Sequence, residues 1–166
     1  MGRLMAKLPI FILICVFAAS VQAQGQDVQK FMKIEPLVAT RADVEKIFGA
    51  PSGHAGPYVD VALYETKDAT MRFTYSRGPC NVDHSRWNVV ADTVIRTDIT
   101  LHKAVLLKDL GIEIESFEKH PVKDVENAFS LESDAMGIYI GIASNGSVEG
   151  IERQPASRFD AKACPR

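Results

Sequence analysis

Apolar positions along the chain follow three rhythms. An unbroken apolar run spans Leu8 to Ala19. From Thr40 the spacing is helical, with Val44, Ile47 and Phe48 on one face. Thr40 is a good N-cap and Asp43 completes an acidic capping box. Gly49 suits the chain reversal after the last turn, and Pro51 bars continuation. The pattern predicts a short helix that persists only if it packs on something.

A period of two follows. Val59, Val61 and Leu63 alternate with Asp60, Ala62 and Tyr64, and Met71, Phe73 and Tyr75 alternate with Arg72, Thr74 and Ser76. Such alternation predicts antiparallel strands covered on one side, here joined by a turn at Lys67-Asp68-Ala69. Gly78-Pro79-Cys80-Asn81 interrupts the pattern. Trp87 to Val90 reads as a short strand, and Thr93 to Leu101 as a longer one with Ile95, Ile99 and Leu101 on one face. Ala104 to Leu110 predicts a second helix, with Leu106 and Leu110 one turn apart and Gly111 ending it. Ile112 to Lys119 fits neither period, and Pro121 to Asn127 reads as loop. Gly137 to Ile142 and Val148 to Arg153 flank Asn145-Gly146, the strongest hairpin turn in the chain. Residues 24–33 open on a polar stretch and read as a flexible N-terminus.

These elements predict an α+β fold: an antiparallel sheet with two short helices packed on one face. The order of helix, extended segments and strand pair occurs twice, over Thr40–Leu101 and His102–Arg153, which suggests two related halves. Residues 34–166 are expected to form a single globular domain.

The first apolar run changes the picture most. Arg3 and Lys7 precede it, and Val21-Gln22-Ala23 follows with residues that suit signal peptidase. A dozen apolar residues fall short of the roughly 20 that span a bilayer. Residues 1–23 are therefore expected to be a cleaved signal peptide, with no stable membrane insertion and a secreted or periplasmic product. Cys15 follows Ile12-Leu13-Ile14, which does not make a lipobox. Removal of 1–23 leaves 17 basic and 21 acidic residues, a net charge of −4. That balance argues against a nucleic-acid partner, which needs a basic patch. It leaves two cysteines, Cys80 and Cys164. In an oxidising compartment they read as a disulfide tying the C-terminus to the middle of the chain.

The candidate chemistry is sparse. Cys80, Asp83 and His84, with His54, His102, His120 and Cys164 elsewhere, lack the paired spacing of a metal site. Asp83-His84-Ser85 supplies the residue types of a hydrolase, but adjacent side chains diverge and no G-x-S-x-G elbow is present. Glu113, Glu115 and Glu118, or Glu132 and Asp134, offer carboxylate pairs that read equally as a solvated face. No cofactor motif stands out. Arg77, Arg86 and Trp87 bracket Cys80 and form the candidate partner-binding set, since Arg and Trp are enriched at binding hot spots. Trp87 also reads as core, because Val89-Val90 follows it.

The helix from Thr40 to Pro51 and the turn Ser144-Asn145-Gly146-Ser147-Val148 resemble the SmpA/OmlA-type outer-membrane assembly lipoproteins. The doubled form resembles the β-lactamase inhibitory protein architecture. This resemblance implies a non-catalytic binding module with helices laid on an antiparallel sheet. The lipidated N-terminal cysteine of those lipoproteins has no counterpart here. The run Tyr75-Ser76-Arg77-Gly78-Pro79-Cys80 is similar to one in uncharacterised exported bacterial proteins, which implies no function. The expected function is an exported, non-enzymatic module binding an unknown protein partner. The alternatives are a small-ligand or lipid-binding protein with a pocket under Tyr58, Val61, Phe73 and Tyr75, and a small hydrolase or metal enzyme.

Overall fold

The capping signals at Thr40 produce the helix they predict. Residues 26–55, 58–81 and 86–165 are described by the computed structural model. Two helices open them: α1 over 26–32 and α2 over Arg41–Phe48. In α2 the Thr40 side chain accepts from Asp43 N–H, and the Asp43 carboxylate accepts from Thr40 N–H at 2.9 Å. Those bonds hold the Asp43 carboxyl below its ordinary pKa. Val44 is fully buried, and Phe48 packs on Phe73 and Tyr64 at 5.6 and 5.9 Å between ring centroids. Ile47, expected on the same face, is exposed.

Eight antiparallel strands follow: β1 Gly53–Ala55, β2 Tyr58–Glu65, β3 Ala69–Tyr75, β4 Val94–Leu106, β5 Glu118–Pro121, β6 Phe129–Ser133, β7 Ile138–Ile142 and β8 Ser147–Arg153. They form one sheet in the order β1-β2-β3-β4-β8-β7-β6-β5. Each half is thus a four-strand meander, and the two meanders meet through their last strands. The α+β class and the antiparallel sheet with helices on one face are as the pattern predicts.

Alternation sorts each strand between two faces. Tyr64 lies opposite Met71, Ala62 opposite Phe73, and Met71 opposite Ile99. Ile99 lies opposite Ile151, which lies opposite Ile140. These side chains point to one face and are buried beneath α1 and α2, with Phe31 of α1 against Phe73 at 6.1 Å. Arg153 also lies on this face and is buried. Its Nη1 donates to the carbonyls of Met32 (2.7 Å) and Ile34, holding the end of α1 to the sheet. Burial lowers its pKa.

Four local expectations give way to tertiary pairing. Residues 26–32 are helix with Val28 and Phe31 fully buried, where a flexible N-terminus was expected over 24–33. Ala104 to Leu106 belong to β4, because Val105 and Leu106 pair with Val148 and Ser147; only Leu107–Leu110 remain helical, as a 3-10 turn. Trp87 to Val90 make no strand, only an isolated bridge from Trp87 to Ala163. β5 and β6 occupy segments read as irregular or unassigned.

The Cys80–Cys164 disulfide is formed, with Cα atoms 5.6 Å apart. It closes a small second core of Leu37, Trp87 and Ile95, against which Val89 and Phe159 pack. Backbone bonds join the same segments: Asn88 N–H to Lys162 O at 2.8 Å and Cys164 N–H to Arg86 O at 2.7 Å. The expected signal peptide, 1–23, lies outside the described residues. No helix among the described residues is long and apolar enough to cross a membrane.

Candidate functional site

The second face of the sheet carries neither α1 nor α2, and its residues follow from register alone. Arg72 lies opposite Asp98, Asp98 opposite Glu152, and Glu152 opposite Tyr139. Tyr139 lies opposite Glu132, and Glu132 opposite Glu118. Directly opposed residues of antiparallel strands share a face, with Cβ atoms about 5 Å apart. Four carboxylates and one tyrosine therefore form a single row across β4, β8, β7, β6 and β5. Arg96 sits beside the row and bridges Asp98 (3.1 Å) to Glu152 (2.7 Å). The second oxygen of Asp98, Oδ2, is buried without a hydrogen-bond partner.

The neighbouring row is nearly bare: Thr70, Thr100, Gly150, Gly141, Ser130 and His120 lie opposite one another in turn. The two glycines floor a trough of about 370 Å³, walled by Asp98, Ser130, Tyr139, Glu149 and Glu152. They serve different ends. A Cβ on Gly150 would come within 2.9 Å of the Ile99 carbonyl, so glycine there lets two strands approach. A Cβ on Gly141 would make only ordinary contacts, with the Glu149 side chain at 3.9 Å and the Gly150 carbonyl at 4.0 Å, so glycine there keeps the trough open.

A second depression of about 300 Å³ adjoins the far end of the row, lined by Glu118, His120, Glu132 and Asp134 among others. His120 Nε2 lies 3.6 Å from Glu118 and 4.0 Å from Glu132. The Tyr139 hydroxyl donates to Asp134 at 2.8 Å, and this bond first, then burial, pushes its pKa up to about 12. A tyrosine whose folded pKa exceeds its unfolded value of about 10 adds stability below that pH. The contribution is lost as pH rises from about 10 to about 12. Tyr139→Phe is therefore expected to show a smaller loss of stability than wild type across that window, by chemical denaturation at stepped pH. Burial also raises Tyr64 and Tyr75, and the comparison cancels their share.

The expected contact residues fall elsewhere. Arg77 Nη2 donates to the buried Asp60 carboxylate at 2.6 Å and so braces the end of β2. Trp87 is 8% exposed in the second core, so it is not a surface anchor. Arg86 is exposed, its guanidinium 5.4 Å from the Trp87 ring. Asp83, His84 and Ser85 lie outside the described residues. The pocket expected under Tyr58, Val61, Phe73 and Tyr75 is not formed by the last three of these. Val61 lies opposite Thr74 and so faces away from Phe73 and Tyr75, which are fully buried in the core. The Tyr58 side chain is outside the described set. Tyr64 is core as well. Among the described residues no three His, Cys, Asp or Glu side chains gather as a metal site.

The carboxylate row escaped the sequence reading. Its strands show the alternation, Glu118-x-His120, Ser130-x-Glu132, Tyr139-x-Gly141 and Gly150-x-Glu152, but the register that aligns them is set by pairing between distant segments.

No family model matches the chain, and no curated protein matches it. It is similar to a crystal structure of a DUF4309 family protein (YjgB) from Bacillus subtilis. The two share 13% identity with a TM-score of 0.45, over 81% of this chain and 95% of that one. This likeness does not show the resemblance to the assembly lipoproteins or the β-lactamase inhibitory protein.

Proposed function

We propose that this chain is an exported, non-enzymatic protein-interaction module of the cell envelope or extracellular space, binding a basic protein surface on its uncovered sheet face. The carboxylate row carries the reading. Like charges placed opposite one another across strands cost stability. Asp98, Glu152, Glu132 and Glu118 nonetheless stand in register, with Glu149 and Asp134 beside them. Arg96 already bridges Asp98 and Glu152, so a cationic partner chiefly meets Glu132, Glu118, Glu149 and Asp134, and gains orientation and speed of encounter from them. Tyr139, at the centre of the row, supplies an amphipathic anchor of the kind enriched in interfaces. Export rests on the reading of residues 1–23, and the disulfide is compatible with an oxidising compartment.

The test is affinity capture from envelope and medium fractions of the source organism. Wild type is compared with Glu118→Lys plus Glu149→Lys, both exposed positions. The expected result is a basic protein that elutes with added salt and binds the variant about tenfold or more weakly. Equal retention by both forms would remove the face from the reading, and retention of no protein would remove the reading itself.

A further inference from the structure

A separate depression lies on the helix side of the sheet. Val28, Gln29, Met32 and Lys33 of α1 and the residue after it form one wall. Leu110 to Glu113 and Phe117 form the other, and Met136 and Ile138 complete it. The groove encloses about 470 Å³ and is lined mostly by apolar side chains, which is the size and character of a small-molecule site. Its second wall belongs to no strand over 111–117, where Phe117 N–H donates to Ile114 O at 3.0 Å. Two methionines add side chains that adapt to an irregular guest. Lys33 and Glu113 stand exposed on opposite walls, and neither forms an ion pair among the described residues.

We propose that this groove binds a single-chain amphiphile with a zwitterionic head group, of the lysophospholipid class. The volume suits one aliphatic chain and not two. The chain lies along Met32, Ile112, Phe117 and Met136, which are partly exposed, the phosphate meets Lys33, and the ammonium meets Glu113. The site is independent of the sheet-face reading, since it lies across the sheet from the carboxylate row.

Isothermal titration of the full protein with lysophosphatidylcholine, kept below its critical micelle concentration, tests it. Saturable binding with one site per chain is expected, tighter than for an alkyl carboxylate or an alkyltrimethylammonium of equal chain length. Lys33→Glu and Glu113→Lys should each weaken it about two- to fivefold, the effect of one exposed ion pair. Met136→Glu should abolish it. The two rim variants keep the test valid if Met136→Glu fails to fold. Absence of saturable binding would overturn the proposal. So would equal affinity for all three head groups, unchanged binding by the rim variants, or binding only to phosphatidylcholine vesicles, which would indicate a bilayer contact.

Discussion

Replacing Cys80 and Cys164 together by serine is expected to lower stability by roughly 4–5 kcal/mol, the chain-entropy value for so long a loop. The bridge joins positions 84 residues apart. Cys164 and the 3-10 turn Ser157–Lys162 close the second core from the C-terminal side, and Phe159 packs there with Leu37, Trp87 and Ile95. Without the bridge, the bonds from Asn88 to Lys162 and from Cys164 to Arg86 must hold that closure alone. Trp87 is the only tryptophan, so its emission reports the site directly. The double variant should unfold at lower denaturant and show red-shifted emission while still folded. Unchanged midpoint and emission would mean the second core holds itself together.

Phe31→Ala carries the next largest expected effect, about 3–5 kcal/mol, the range for truncating a buried phenylalanine. Phe31 has no exposed surface and meets Phe73 under α1. Its loss opens a cavity between α1 and the sheet, and the carbonyl contacts of Arg153 with Met32 and Ile34 would weaken with it. Urea denaturation monitored by circular dichroism measures this. A cost under about 1 kcal/mol, within the range of a surface substitution, would mean that 26–32 does not pack as described.

Elements written in local chemistry were the legible ones. The α2 helix carries its own cap in Thr40 and Asp43, and the β7–β8 hairpin its own turn, where Ser147 N–H donates to the Asn145 side chain at 3.0 Å. Elements decided by distant partners were not. Ala104 to Leu106 look helical until β8 draws them into β4. Val28, Phe31 and Met32 do have helical spacing, a signal masked by the polar residues around them. β2 was legible as a strand, yet Asp60, Ala62 and Tyr64 face the core while Val61 and Leu63 face outward. That phase comes from pairing with β3 and not from hydrophobicity. The same limit hid the carboxylate row, since each acid sits on a different strand and only register unites them. Trp87 carried both meanings in sequence, and the closure by Ala163 and Cys164 decided for core.

The most direct measurement is carboxyl footprinting of the complex with a captured partner, by carbodiimide coupling and mass spectrometry against the free protein. Glu118, Glu132 and Glu149 should lose labelling on binding, while Glu45, exposed on α2 across the sheet, should not. Protection of Glu45 with continued labelling of the other three would contradict the assignment of the uncovered face.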